Sequence, residues 1–288
     1  MSRSWQLRDR SLPLDRPLVM GIVNVTPDSF SDGGSYFACD AAVEHANELL
    51  AEGADILDIG GESTRPQSAE PVPVEEELRR VLPVVRTLAK EHPEAIISVD
   101  TVKAAVADAA MQAGAHIVND VSGFRLDAGM AAVCARHEAG VVLMHSRGSV
   151  SDMATYAHAE YANFLGEMQG ELRERVDAAL IAGVRPECIA VDPGIGFSKR
   201  PEHSLLALAC LDRLVTWGFP VVVGASRKRF IGQLTGAREP AQRRDGSVGA
   251  AVAAYDRGAQ VLRVHDVAAT RRALDVAAAI HDAGVASA

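Results

Sequence analysis

Eight short apolar runs, each closing on a polar residue or a glycine, punctuate the chain from end to end. They are Leu18–Asn24, Asp55–Gly60, Ile96–Asp100, His116–Asn119, Val141–His145, Ile189–Asp192, Val221–Ser226 and Val261–His265. Between consecutive runs lie segments rich in Ala, Leu, Glu and Arg at helical spacing. Short β-like runs alternating with helical patterns predict parallel strands joined by crossover helices. Eight such units predict one closed (β/α)8 TIM barrel, with its active site at the C-terminal ends of the strands. The main rival is an open doubly wound sheet, which shows the same alternation.

The punctuation points the same way. Glycines that close helical patterns and lead into apolar runs are expected at Gly53, Gly114, Gly140, Gly183 and Gly258. A glycine just past a helix end adopts the left-handed conformation at little steric cost. Two connections read as long loops dense in Gly, Pro, Ser and Asp, Thr26–Ala38 and Gly61–Val74. They follow the first and second runs, on the face where long loops carry function.

Composition narrows the class. The chain has 288 residues, 48% hydrophobic and 23% charged, as expected for a large soluble domain. A barrel would take residues 17–288 and leave 1–16 as an arm of unknown role. The arm mixes Arg, Asp and Ser and does not read as a signal peptide. No run reaches the roughly 18 apolar residues of a membrane span. The four cysteines show no C-x-x-C spacing, so reduced, packed thiols in a cytoplasmic protein are expected. A net charge of −9 argues against nucleic-acid binding, which needs a basic face. The nine histidines lack metal-ligand spacing, and most are expected at the surface.

Strand alternation places Arg263 and His265 on one face at the end of the last run, with Lys228 just past the seventh. Loops after the seventh and eighth strands commonly hold phosphate, so these residues form a candidate anion seat. For Arg227 and Arg229 a solvated surface loop is the lesser reading beside that anion seat. Asp100, Asn119 and Asp192 each end a strand that helices should bury. A carboxylate there must be paired. It either pairs with Lys228 or Arg263, or grips a flat heterocycle with a donor-rich edge. G-x-G-x-x-G, Walker-type, H-E-x-x-H and G-x-S-x-G motifs are absent from the sequence, and Asp192–Phe197 only superficially resembles a phosphate loop.

From about residue 18 onward the chain resembles the dihydropteroate synthase family, enzymes of folate biosynthesis targeted by sulfonamides. The resemblance rests on Gly21–Gly34, Asp58–Pro66, Ser98–Thr101, Asn119–Gly123, Leu143–His145, Asp192–Phe197, Gly224–Lys228 and Arg263–Val267, in family order. It implies a transferase joining p-aminobenzoate to a 6-hydroxymethyl-7,8-dihydropterin diphosphate, with Mg2+, to give 7,8-dihydropteroate and pyrophosphate. By resemblance Asp100, Asn119, Asp192 and Lys228 would bind the pterin, with Met144, Phe197 and Gly224 lining its slot. Asn24, Arg263 and His265 would hold the diphosphate, Asn24 also as a magnesium ligand. Phe30, Thr64, Arg65, Pro66 and Ser226 would shape the aminobenzoate site. Asp100, Lys228, Arg263 and Asp32 would carry the chemistry, with Asp100 or Asp32 stabilising a CH2 cation.

After His145 the chain reads Ser146–Met153 where many members have a Gln-Gly-x-Pro type sequence, a departure that touches no residue with an implied catalytic role. The family also implies a homodimer through late helices, here Val248–Tyr255 and Ala268–Ile280. A corrinoid-linked methyltransferase of the pterin-binding kind would have no use for Arg263, His265 and Lys228 as a diphosphate seat. A non-catalytic pterin-binding paralogue is disfavoured by the presence of Ser29–Gly34 and Thr64–Pro66.

Overall fold

The structure, a computed structural model, describes residues 4–25, 35–63 and 71–285. A two-stranded antiparallel hairpin comes first, β1 (Ser4–Leu7) and β2 (Arg10–Pro13). Eight parallel strands follow: β3 (Leu18–Asn24), β4 (Ile56–Gly60), β5 (Ile96–Asp100), β6 (Ile117–Asp120), β7 (Gly140–Met144), β8 (Ile189–Asp192), β9 (Val222–Val223) and β10 (Val261–Val264). Helices separate them: α1 (Ser35–Ala51), α2 (Val74–Glu91), α3 (Ala104–Ala113), α4 (Met130–Arg136), α5 (Phe164–Ile181), α6 (Pro201–Ala209), α7 (Asp212–Val215), α8 (Arg229–Thr235), α9 (Arg244–Tyr255) and α10 (Val267–Val285).

Strand order runs β8-β7-β6-β5-β4-β3-β10-β9, and a parallel bridge between Val191 and Val221 joins the two ends. The sheet therefore closes on itself as the expected (β/α)8 barrel, and the open doubly wound rival is excluded. The predicted Val221–Ser226 run shrinks to the two residues of β9 because the chain leaves the sheet at Gly224. It then turns with Lys228 N–H donating to the Ala225 carbonyl at 3.3 Å and Arg227 at φ 57°.

Alternation divides each strand between two environments. Val19, Leu57, Ile97, Val141, Val191 and Leu262 face the helices, in one large buried cluster. Met20, Ile56, Ile117, Val142, Ala190 and Val261 fill the lower interior, in a second cluster with Trp5 and Leu7 of the hairpin. The arm thus has a place: β1 and β2 plug the N-terminal end of the barrel. Trp5 Nε1 donates to the Cys188 carbonyl at 2.8 Å, so the ring is buried without stranding its N–H.

Four of the five expected helix-end glycines have positive φ: Gly53, Gly114, Gly183 and Gly258. Gly140 is different. It opens β7, and a Cβ there would lie 2.4 Å from Leu7 Cδ2, so its lack of a side chain makes room for the hairpin. The predicted loop Thr26–Ala38 also ends early, because α1 begins at Ser35.

Candidate functional site

Asn24, Gly60, Asp100 and Met144 end their strands and Asn119 and Asp192 lie at or near theirs, so the barrel brings together at its mouth the residues that the sequence marked. A cavity of about 720 Å³ opens there, and Asn24, Asp100, Phe197, Lys228, Arg263 and His265 line it, with Gly224 and Ser226. Asn119, Met144 and Asp192 do not line it and are 4%, 3% and 5% exposed. Asn119 is joined to a lining residue through Asp58, and Met144 packs with Phe197, Val102, Val121 and Met153 in a small apolar cluster.

Arg263 dominates the floor. Its Nε donates to Asp58 Oδ2 and its Nη2 to Asp100 Oδ2, both at 2.6 Å. Asp58 is fully buried and also accepts from Ser98 Oγ at 2.6 Å and Asn119 Nδ2 at 3.0 Å. One carboxylate therefore fixes the Asn119 amide and the Arg263 guanidinium together. Sequence reasoning gave Asp58 no role, although a charged residue between Leu57 and Ile59 in a buried strand was a usable signal.

Burial shapes the titration of the groups. It raises Asp100 to about 7, opposed by Arg263 and reinforced by Asp58. It raises Asp192 to about 6, against the Gly194 N–H that donates to its Oδ1 at 2.6 Å and the positive charges of Lys228 and Arg263. It lowers Lys228 to about 7, with Arg263 adding to the shift and Asp192 opposing it. Burial also works against Arg263, but Asp58 and Asp100 outweigh it and keep the guanidinium charged. His265, driven down to about 3 by burial and then by Arg227, is neutral, and its Nδ1 lies 3.0 Å from Ser226 Oγ. A carboxyl and an ammonium group, Asp100 and Lys228, both poised near 7 in one cavity mark a functional site.

Some expectations change. Arg227 pairs with Asp266 at 2.7 Å and Arg229 donates to the Ala154 carbonyl at 2.6 Å, so both have structural partners. The histidines are less exposed than expected: of the nine only His281 is exposed, and His116 and His145 are buried, because several serve as partners of Asp, Glu or backbone groups. All four cysteines are free thiols, Cys134 and Cys188 buried. Phe30, Asp32, Thr64, Arg65 and Pro66 lie outside the described residues. The stems of the second long connection are described: Glu62 accepts from the Val72 N–H at 2.6 Å and from Lys103 Nζ at 2.7 Å, which ties its two ends together. Glu62 was also missed by sequence reasoning.

Residues 20–265 match the pterin binding enzyme family. The chain is similar to the Xanthomonas albilineans dihydropteroate synthase solved with 4-aminobenzoic acid, at 48% identity and a TM-score of 0.90 over 98% of this chain and 99% of that one. A structure of the Xanthomonas albilineans enzyme in complex with 7,8-dihydropteroate is 47% identical, with a TM-score of 0.86 over 96% and 98%. The Yersinia pestis dihydropteroate synthase in a sulfonamide drug complex is 41% identical, with a TM-score of 0.89 over 97% and 99%. The chain belongs to the pterin binding enzymes and, within them, to the dihydropteroate synthases, which are transferases.

Proposed function

We propose that this enzyme condenses 6-hydroxymethyl-7,8-dihydropterin diphosphate with p-aminobenzoate, giving 7,8-dihydropteroate and pyrophosphate for folate biosynthesis. The observation that carries this reading is the floor of Asp58, Asp100 and Arg263, with Lys228 beside it, at the mouth of a barrel whose relatives were solved with the amine and the product. Asp100, Asn119 and Asp192 meet the donor edge of the pterin, Lys228 its acceptor edge, and Met144, Phe197 and Gly224 its faces. Arg263, His265 and Asn24 receive the diphosphate. Ser226, with Phe30, Thr64, Arg65 and Pro66, receives p-aminobenzoate.

In the reaction the amine lone pair forms the new C–N bond at the pterin CH2. The C–O bond breaks with its electrons on pyrophosphate, and the amine releases one proton to the departing pyrophosphate or to water. Arg263 stabilises charge on the departing oxygen, and Asp100, with Asp32 from the first loop, stabilises positive charge on the CH2 group. No strong base is needed, because an aromatic amine is neutral at pH 7.

Magnesium fits as a companion of the diphosphate. Among the described residues no cluster of His, Cys, Asp or Glu is arranged to hold a metal. Asn24 offers a single amide oxygen in the cavity, which suits an ion that keeps most of its shell from water and phosphate. When bound, Mg2+ neutralises leaving-group charge.

A homodimer through α10 is supported by Val276 and Ile280, 61% and 69% exposed within the Ala268–Ile280 segment, and sedimentation would test it. Cytoplasmic residence accords with the absence, among the described residues, of any helix long and apolar enough to cross a membrane. The test of function is pyrophosphate release from the dihydropterin diphosphate and Mg2+, with and without p-aminobenzoate. Turnover dependent on the amine, yielding dihydropteroate and inhibited by sulfonamides in competition with it, is expected. Pterin binding without product would overturn the reading.

A further inference from the structure

Lys199 is a cation with 1% exposure in the loop after β8, and nothing above uses it. Its Nζ lies 2.7 Å from His145 Nδ1, 3.0 Å from the Phe197 carbonyl and 3.3 Å from the His145 carbonyl. The other ring nitrogen of His145, Nε2, lies 3.1 Å from Glu171 Oε2 and must donate to that carboxylate. Three acceptors thus surround Nζ, the two carbonyls and Nδ1, which matches the three N–H donors of an ammonium. With all three filled, the pair carries one positive charge.

The pair also joins the two walls of the slot. His145 follows Met144 at the end of β7, and its N–H donates to the Asp192 carbonyl at 2.9 Å. Phe197 stands on the loop after β8. The segments approach so closely that a Cβ on Gly194 would lie 2.0 Å from the His145 carbonyl oxygen. From the other side Arg175 of α5 donates to the Met144 and Ser146 carbonyls at 2.6 and 2.5 Å.

We propose that Lys199, paired with His145, is a positioning residue for the pterin slot. It fastens Phe197 against the end of β7, and the positive charge of the pair keeps Asp192 ionised for the pterin. The inference rests on the reading that a pterin occupies this slot. Charged neighbours face the pair from each packed element: Glu171 and Arg175 on α5, Arg147 after β7 and Asp192 on β8. Asp192 in turn faces Lys228 and Arg263. Burial presses Lys199 well below the ordinary lysine range, with Asp192 opposing.

Lys199→Met keeps the length of the chain and removes both the charge and the donors. Binding of 6-hydroxymethyl-7,8-dihydropterin diphosphate to the whole protein, measured by calorimetry from pH 5 to 9, reads the effect. The expected result is Kd weakened about tenfold at pH 7. The pH below which binding fails should rise by about one unit, because Asp192 protonates more readily. The KM for p-aminobenzoate at saturating pterin should stay as in the parent. A cooperatively folding Lys199→Met variant with the parent Kd and an unmoved acid limb would overturn the proposal. If Lys199→Met does not fold, Lys199→Gln, which keeps a donor without the charge, is read in the same way. Failure of both to fold would assign Lys199 to folding alone and equally overturn the proposal. Failure of the parent itself to bind pterin would instead defeat the reading of the slot.

Discussion

The Nζ of Lys228 lies 3.9 Å from the centre of the Phe197 ring. A cation over an aromatic face is held in its charged form, while burial pulls Lys228 toward neutrality near 7. Phe197→Leu keeps an apolar wall and removes the ring face. Lys228 should then lose its proton at lower pH, so the alkaline limb of pterin binding moves down. Titration of Kd from pH 6 to 9 checks this, and an unmoved limb would show that the ring does not hold the ammonium.

Asp192→Asn should trade binding for stability. Burial raises the folded-state value of Asp192 to about 6, against roughly 3.9 in an unfolded chain. The folded state therefore binds the proton more tightly, and stability falls as pH rises from about 4 to 6. Above that window the ionised group costs on the order of 1–3 kcal/mol. The neutral amide avoids that cost, so the variant should unfold at higher urea at pH 8. Its advantage should shrink toward pH 4, while its pterin affinity drops at least about tenfold. An advantage independent of pH would contradict the assignment.

Arg263→Lys tests the double pairing. Lysine keeps the charge but cannot donate to Asp58 and Asp100 in the fixed fork geometry. We expect kcat to fall about a hundredfold, with loss of stability of about 2 kcal/mol. Arg263→Ala, which strands both carboxylates, should cost roughly 3–5 kcal/mol and weaken pterin binding as well as chemistry. The pairing of Arg263 with Asp100 couples these effects, whereas an arginine serving only the diphosphate would lose chemistry alone. Denaturant curves and steady-state kinetics on the two variants separate the cases.

Trp5→Ala removes a fully buried ring from the barrel floor. A loss of about 3–5 kcal/mol is expected, with kcat at permissive temperature near that of the parent, because the hairpin and the site lie at opposite ends of the barrel. A variant that kept its stability but lost activity would show that the floor and the mouth are coupled.

Much of this arrangement was readable beforehand, for a physical reason. Strands buried on both sides appear as continuous apolar runs, and the polar residue where each run meets the mouth stands out. Asp100, Asn119, Asp192 and Arg263 were visible in that way. Asp58 sits within its strand, and its tie to Arg263 spans 205 residues, so no local pattern announces the pair. Lys199 is followed by Arg200 and preceded by Ser198, a stretch that reads as solvated loop until the fold turns it inward. Gly140 looked like a helix stop because the hairpin residue that needs its space lies far away in sequence. The alternation of Trp5 and Leu7, one apolar residue every second position, was the signal for the arm.

That hairpin has a consequence for the order in which the chain comes together. Trp5 donates to a carbonyl 183 residues further on, and Leu7 needs the gap at Gly140. During synthesis the hairpin therefore has nothing to rest on until the start of β8 has been made. Its apolar side chains are without their barrel partners through most of translation.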